Sequence, residues 1–264
     1  MRGGGPVTRN NQKCKLESQV VTMWQVTSLN LDAAGTQNAC MERCSKAGLD
    51  IVHFFPLDVF NQTAAVQERL ADFGRHALAA IIGNSKFLWP RFRSALALLP
   101  SRLANANPLD RYVEESIHRA CESLPIRTAV SFSHVTLPQV LPIQRIAQAA
   151  GLASVSPSHF SIHPTYGPWI GLRAVVVFDV EAPSAEPLRV GSPCENCSQP
   201  CMPPLREALD RAERDSVTLP VAVKRDWRSW ARVRQVCPVG REQQYSDEQL
   251  EYHYTNDKSL LSSD

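Results

Sequence analysis

The sequence lacks any long apolar run. Its best, Ala77 to Ile82 and Ala174 to Phe178, fall far short of the roughly 18 apolar residues that a helix needs to span a bilayer, which argues against a membrane protein. Charge of one sign is missing too. The 28 Lys+Arg and 26 Asp+Glu of the 264 residues leave a formal charge of +2, too little for an electrostatic footprint on nucleic acid or anionic lipid. The basic residues Arg2, Arg9, Lys13 and Lys15 are not followed by the apolar stretch of a secretory signal, so a cytoplasmic, reducing environment is expected. No internal repeat is present. None of the patterns GxGxxG, GxxxxGK[ST], HExxH or GxSxG occurs, which leaves nucleotide, phosphate, zinc-protease and serine-hydrolase chemistry without support.

What is present is an ordinary globular composition, 44% hydrophobic and 20% charged, long enough for one sizeable core with an attachment. Residues 1–40 read as a disordered or weakly structured leader, with one semi-apolar stretch, Val20 to Leu29, of unassigned role. Ile51 to Phe55 is a β-branched and aromatic run closed by Pro56, as expected of a strand. Thr63 to His76 has Val66, Leu70 and Phe73 at helical spacing behind a capping Thr63. Ala77 to Ile82 suits a strand buried on both faces, ended by Gly83-Asn84, with Ser85 as the next cap. Asn107-Pro108 starts a helix ended by Pro125. Thr128 to Phe132 reads as a strand, Gln139 to Ala150 as a helix stopped by Gly151, and Arg173 to Val180 as a buried strand. Alternating helices and buried strands predict an α/β layer fold. The divisions that follow are a main domain over 41–182, a Cys-rich excursion over 183–204, a C-terminal extension over 205–256 packing on the main domain, and a tail over 257–264.

Two segments carry candidate chemistry. Phe160 to Arg173 gathers His163, Tyr166, Gly167, Trp169, Gly171 and Arg173 with two prolines. Glycines let a planar ligand approach the backbone, aromatics offer it a face and prolines hold the loop open. The same composition also fits a rigid turn with a core Trp and a solvated Arg. The second segment is cysteine-rich. Of eight cysteines, Cys194, Cys197 and Cys201 have ligand-like spacing, and Cys237, followed by Pro238, supplies a fourth thiolate. Four thiolates suit zinc or a [4Fe–4S] cluster. His53, His76, His118, Cys14, Cys40 and Cys121 show no ligand spacing, and Cys121 reads as core.

The segment Ile162-His-Pro-Thr-Tyr-Gly-Pro-Trp-Ile-Gly-Leu-Arg173 resembles the signature of the methylmalonic aciduria and homocystinuria type C (CblC) family of cobalamin-processing proteins. More distantly, it resembles the cobalamin-binding domain of epoxyqueuosine reductases. The stretch from Cys44 through Gly48 to Pro56 is similar to the first CblC motif. Ile81 to Phe87, Asn107 to Asp110, Glu122 to Pro125, Trp227 to Trp230 and Tyr245 to Gln249 with Tyr252 follow in that family's order. The resemblance covers about residues 44–256. It implies a flavin-nitroreductase-like domain with a C-terminal extension. It further implies binding of cobalamin (vitamin B12) in a base-off form and removal of its upper axial ligand, before the cofactor passes to a downstream trafficking protein. Two activities are implied: glutathione-dependent alkylcobalamin dealkylation, a transferase reaction, and cyanocobalamin reductase (cyanide-eliminating) activity, in which reduced FAD or FMN supplies electrons.

Carried over residue by residue, Arg173 matches the arginine that engages glutathione, and its fork suits the tripeptide's carboxylates. Leu141, Gln144, Ser161 and Leu172 match corrin-contacting positions. His163, Gly167 and Trp169 belong to the same loop, with His163 expected to fix that loop by hydrogen bonds and not to bind cobalt. Gln148 stands where the family has a histidine, and Arg232 and Arg234 lie near the positions of further glutathione-binding arginines. The cysteine set is absent from the animal proteins of the family. A monomer or ligand-induced homodimer is implied. Two other readings stay open: an iron–sulfur cobalamin-dependent reductase related to epoxyqueuosine reductases, and a non-catalytic corrinoid carrier with a structural zinc site.

Overall fold

A computed structural model describes residues 32–74, 76–135, 140–184 and 191–262. Of the expected leader over residues 1–40, residues 1–31, with the Val20 to Leu29 stretch and Cys14, lie outside the described residues. The first helix, α1 (Ala33–Lys46), starts ahead of the expected boundary near Cys40. Asp32 caps it, its Oδ1 accepting from Gly35 N at 2.7 Å. Chain order then runs β1 (Ile51–Pro56), α2 (Asp58–Asn61), β2 (Ala77–Asn84), α3 (Leu88–Leu98), α4 (Pro108–Glu122), β3 (Thr128–Phe132), α5 (Ile143–Ala149), β4 (Ser154–Val155), β5 (Ser161–Ile162) and β6 (Gly171–Glu181). Four helices follow: α6 (Met202–Arg214), α7 (Leu219–Arg225), α8 (Trp227–Gln235) and α9 (Asp247–Thr255).

The main sheet has the order β1-β2-β6-β3, and every pair in it is antiparallel. Its two central strands explain the uninterrupted apolar runs in the sequence. In β2, Leu78, Ala80 and Ile82 face one core while Ala77, Ala79 and Ile81 face the other. Along β6, Ala174, Val176 and Phe178 join the first core, and Val175 and Val177 the second. Side-chain alternation in a strand places both sets at once, so a strand covered on both faces must be apolar throughout. The first core is roofed by α1, α3 and α4, and the second by α5 and the segments around Leu57, Phe60 and Leu152. The structure is therefore the layered α/β arrangement expected.

Several local expectations are corrected. No helix spans Thr63 to His76. The chain makes only the turn Val66–Glu68 and then extends, because the Asn61 amide pairs with the Leu70 backbone in both directions, at 3.0 and 3.2 Å, as a strand neighbour would. Val66 is left 76% exposed as a result. The helix expected over Gln139 to Ala150 begins at Ile143, since Pro142 takes the N-cap position and a residue before proline disfavours helical backbone. Asn107 makes no capping bond to α4; its Oδ1 accepts instead from Asn256 Nδ2 at 2.8 Å. The expected frayed tail is docked: Lys258–Leu261 forms a short turn that buries Leu261 in the first core. Cys40, Cys44 and Cys121 are buried in that core as well.

Candidate functional site

Arg173 lies near the start of β6 with its side chain 15% exposed. Its Nε donates to Asn84 Oδ1 at 2.7 Å, and Asn84 Nδ2 donates in turn to Ser85 O at 2.8 Å. Ser85 is anchored by Asp50, whose carboxylate accepts from both Ser85 N and Ser85 Oγ, at 2.8 and 2.6 Å. A glycine must follow close by. A Cβ on Gly171 would stand 2.7 Å from Asn84 Oδ1 and 3.2 Å from Arg173 Nε. The nearest carboxylate to the guanidinium is Asp110 at the start of α4, at 3.7 Å, too long for a tight ion pair. Burial pushes the Arg173 pKa down, opposed by Tyr245, Asp110 and Tyr252, with Arg234 adding to the fall.

Arg234 of α8 supplies a second guanidinium beside Arg173. It stands over the rings of Phe160 (5.0 Å), Trp169 (5.7 Å) and Tyr245 (5.7 Å), an arrangement that holds a cation by ring quadrupoles. Arg232, the other arginine noted from the sequence, is exposed. Arg234 Nε is buried with no hydrogen-bond partner among the described residues, as are Trp169 Nε1, Ser161 Oγ and Gln243 Oε1. The two buried cations also act on His253. Burial, then Arg173 and Arg234, hold its pKa well below the usual imidazole value, so it is neutral at pH 7. Burial likewise raises the Tyr252 phenol to about 12. The surroundings of the two arginines are thus cationic, aromatic and short of negative charge.

The loop from β5 to β6 forms one wall. His163 Nδ1 accepts from Thr165 N and Tyr166 N, at 3.0 and 3.2 Å, and its backbone bridges to Gly167. Trp169 is fully buried and meets Tyr245 edge-on at 5.6 Å, inside a third core with Trp227, Ala231 and Leu250. Gly167 has φ +56°, and a Cβ there would stand 2.0 Å from Val239 O. Opposite it, Gly240 has φ +68°, and its Cβ would meet Tyr166 C and O at 2.4 Å. Trp169 and Gly167 therefore face protein and not an open ligand surface. These two glycines let the 237–240 turn close over the loop, a contact that sequence reasoning missed because the two lie far apart in the chain.

The remaining residues expected at the site are dispersed. Leu141 lines an open cavity of about 390 Å³ with Leu70, Val130, Phe132, Val135 and Val140. Arg173 is not among the residues that line it; Ser133, just after β3, donates its N to Arg173 O and its Oγ to Leu172 O, both at 2.8 Å. Leu172 packs against the second core beside Leu141. Ser161 is buried in β5. Gln144 Nε2 donates to His159 O at 2.8 Å. A larger cavity of about 600 Å³ lies between α1, α3 and α4 and contains none of the expected residues. Cys194, Cys197, Cys201 and Cys237 are free, half-buried thiols around one small void. Among the described residues, no group of three or more His, Cys, Asp or Glu stands at metal-ligand spacing, and no helix is long and apolar enough to cross a membrane.

No protein-family model and no curated protein matches the sequence. Solved structures do. A B12-trafficking protein CblC from C. elegans, described as a homologue of human MMACHC, superimposes with a TM-score of 0.63 at 16% identity, covering 87% of this chain and 95% of that one. Two epoxyqueuosine reductase structures, one with a modified tRNA-Tyr stem loop, give TM-scores of 0.47 and 0.46 at 13% and 12% identity. Each covers 85% of this chain, and 69% and 70% of their own. The fold is CblC-like, and the nitroreductase-like α/β class expected from the sequence resemblance is borne out.

Proposed function

We propose that the chain processes cobalamin, binding it over the Leu141 cavity and removing its upper axial ligand with glutathione held by Arg173 and Arg234. One observation carries this reading: Arg173, 15% exposed, feels the charge of Arg234, whose Nε is buried without a partner, while among the described residues the carboxylate that faces Arg173 is Asp110, at 3.7 Å. Like charges brought out of water repel and lose solvation, so anionic ligand groups that complete such a pair are bound favourably. Glutathione carries two carboxylates, and arginine forks receive carboxylates bidentately.

The CblC-like fold supports cobalamin as the substrate, and the apolar wall of Val130, Phe132, Val135, Val140 and Leu141 offers contact area to a corrin face. In dealkylation the glutathione thiol loses its proton and the thiolate sulfur attacks the cobalt-bound carbon. A carbon–sulfur bond forms as the cobalt–carbon bond breaks, and the electron pair of that bond stays on cobalt, giving cob(I)alamin and the thioether. Arg173 and Arg234 orient the nucleophile; the surrounding burial excludes water. For decyanation a reduced FAD or FMN supplies the electrons. Handing the product to a downstream trafficking protein completes the reading.

The test is anaerobic spectroscopy of methylcobalamin with the purified chain, with and without glutathione. A base-off shift followed by thiol-dependent loss of methylcobalamin is expected. Arg173→Ala removes charge-assisted hydrogen bonds of about 1.5–3 kcal/mol each, which slows the thiol step roughly ten- to a hundredfold while the base-off shift persists. No shift with wild-type protein would refute cobalamin binding. A shift without thiol-dependent loss would leave a carrier.

A further inference from the structure

The four half-buried cysteines form a feature that cobalamin processing does not use. They come from two distant segments. Cys194, Cys197 and Cys201 lie in the turn that leads into α6, with Cys201 at the N-cap position, and Cys237 follows the end of α8. All four line one void of about 20 Å³, walled otherwise by apolar side chains such as Phe160, Ile162 and Val233. The turn itself, from Gly191 to Pro200, has no bulky apolar residue with which to build a core of its own.

Backbone geometry at two of the sulfurs is specific. Gln199 N donates to Cys197 Sγ at 3.4 Å, and Val239 N donates to Cys237 Sγ. In both cases the donor lies two residues after the cysteine. A left-handed residue, Gln199 at φ +56° or Gly240 at φ +68°, folds each chain back around its sulfur. Amide N–H groups aimed at sulfur fix its orientation, as the outer hydrogen-bond partners of a metal ligand do. Cys237 is further fixed because Gly240, three residues on, is clasped against Tyr166 and Gly167.

We propose that Cys194, Cys197, Cys201 and Cys237 bind a single zinc ion, which ties the turn before α6 to the end of α8. Four thiolates select a thiophilic metal in tetrahedral geometry, and a set with no open position is structural. Size favours zinc over an iron–sulfur cube. A void of about 20 Å³ holds one water-sized particle, for which roughly 10–15 Å³ suffices, whereas a cube brings eight heavy atoms. The sulfurs line the void without standing at ligand spacing, so binding draws the four side chains inward to zinc–sulfur distances of about 2.3 Å.

The experiment uses the full chain, expressed with added zinc and purified without chelator or cobalamin, followed by metal analysis. One zinc per chain, released by a mercurial thiol reagent, is expected. Replacing zinc with cobalt(II) should give the intense visible bands of tetrahedral thiolate coordination. Cys197→Ser with Cys237→Ser should abolish stoichiometric zinc. If that double variant does not fold, the wild-type zinc content and cobalt spectrum decide. Absence of bound metal, iron accompanied by acid-labile sulfide, or full zinc retention in a folded double variant would each overturn the proposal.

Discussion

The glycine clasp permits a worked test of how the C-terminal extension is held. In Gly167→Ala the new Cβ would sit 2.0 Å from Val239 O, whereas real Cβ contacts essentially never fall below 3.0 Å. The two backbones must therefore part by at least about 1 Å, and neither is a flexible side-chain end. Overpacking of this kind costs about 1–3 kcal/mol, and alanine at φ +56° adds about 1–2 kcal/mol of left-handed strain. A loss of about 3 kcal/mol out of a typical 5–15 should lower the melting temperature by roughly 6–12 °C in a domain of this size. Gly240→Ala should cost a similar amount, because its Cβ would meet Tyr166 at 2.4 Å. Together the two changes should cost clearly less than their sum, since the first already opens the contact that the second disturbs. Gly191→Ala, whose Cβ meets nothing within 4 Å, serves as control. Differential scanning calorimetry of the three single variants and the double variant reads the effects. Strict additivity, or a Gly167→Ala melting temperature matching that of the control, would refute the clasp.

Other outcomes follow from the same geometry. Asn84→Ala removes the acceptor of Arg173 Nε and should destabilise by about 1–3 kcal/mol in urea titration; in the proposed thiol reaction it should raise the KM for glutathione more than it lowers kcat. Leu261→Ala, in the docked tail, should cost at least about 2 kcal/mol; a loss under about 0.5 kcal/mol, typical of surface sites, would show that the tail does not belong to the core. His253 is buried neutral, its pKa held well below the usual value. Below about pH 6.5 the unfolded chain takes up a proton there that the folded chain refuses, so stability falls as pH drops, by up to about 1.4 kcal/mol per pH unit. Urea titrations at pH 7 and pH 5.5 should show a smaller fall in His253→Gln than in the wild type. An unchanged slope would count against a neutral, buried His253.

The central strands were legible because complete burial demands unbroken apolar runs, and Ala77 to Ile82 and Arg173 to Val180 both fall inside observed strands. Their antiparallel pairing was not legible, since coverage of both faces gives the same pattern whatever the strand direction. The failed helix at Thr63 to His76 had the right spacing, but a tertiary bond pair, Asn61 to Leu70, outweighed local preference. Arg173 was singled out by its loop. Its neighbours Asn84, Asp110 and His253 were not, because they come from three other elements, and Arg234, noted together with Arg232, is told apart from it only once the rings of Phe160, Trp169 and Tyr245 surround it.

That distribution has a physical consequence for the whole molecule. The sheet supplies Arg173 and Asn84, while Arg234 comes from α8 and His253 from α9, a helix that also packs on α3 through Tyr252 against Trp89 and Phe92. The contacts with the β5–β6 loop and with β5 include Trp169 against Tyr245, Gly167 against Val239, and the four-cysteine void against Phe160 and Ile162. The loop that looked like a ligand surface in the sequence thus spends its Trp and its Gly on holding the extension in place. Docking brings the two arginines together and so has an electrostatic cost, which grows with their burial. An anion bridging them removes that cost, so by linkage it must favour the docked state as strongly as docking favours the anion. The C-terminal extension is in this sense half of the proposed anion site, and the glycine clasp is what would let that site form before an anion arrives.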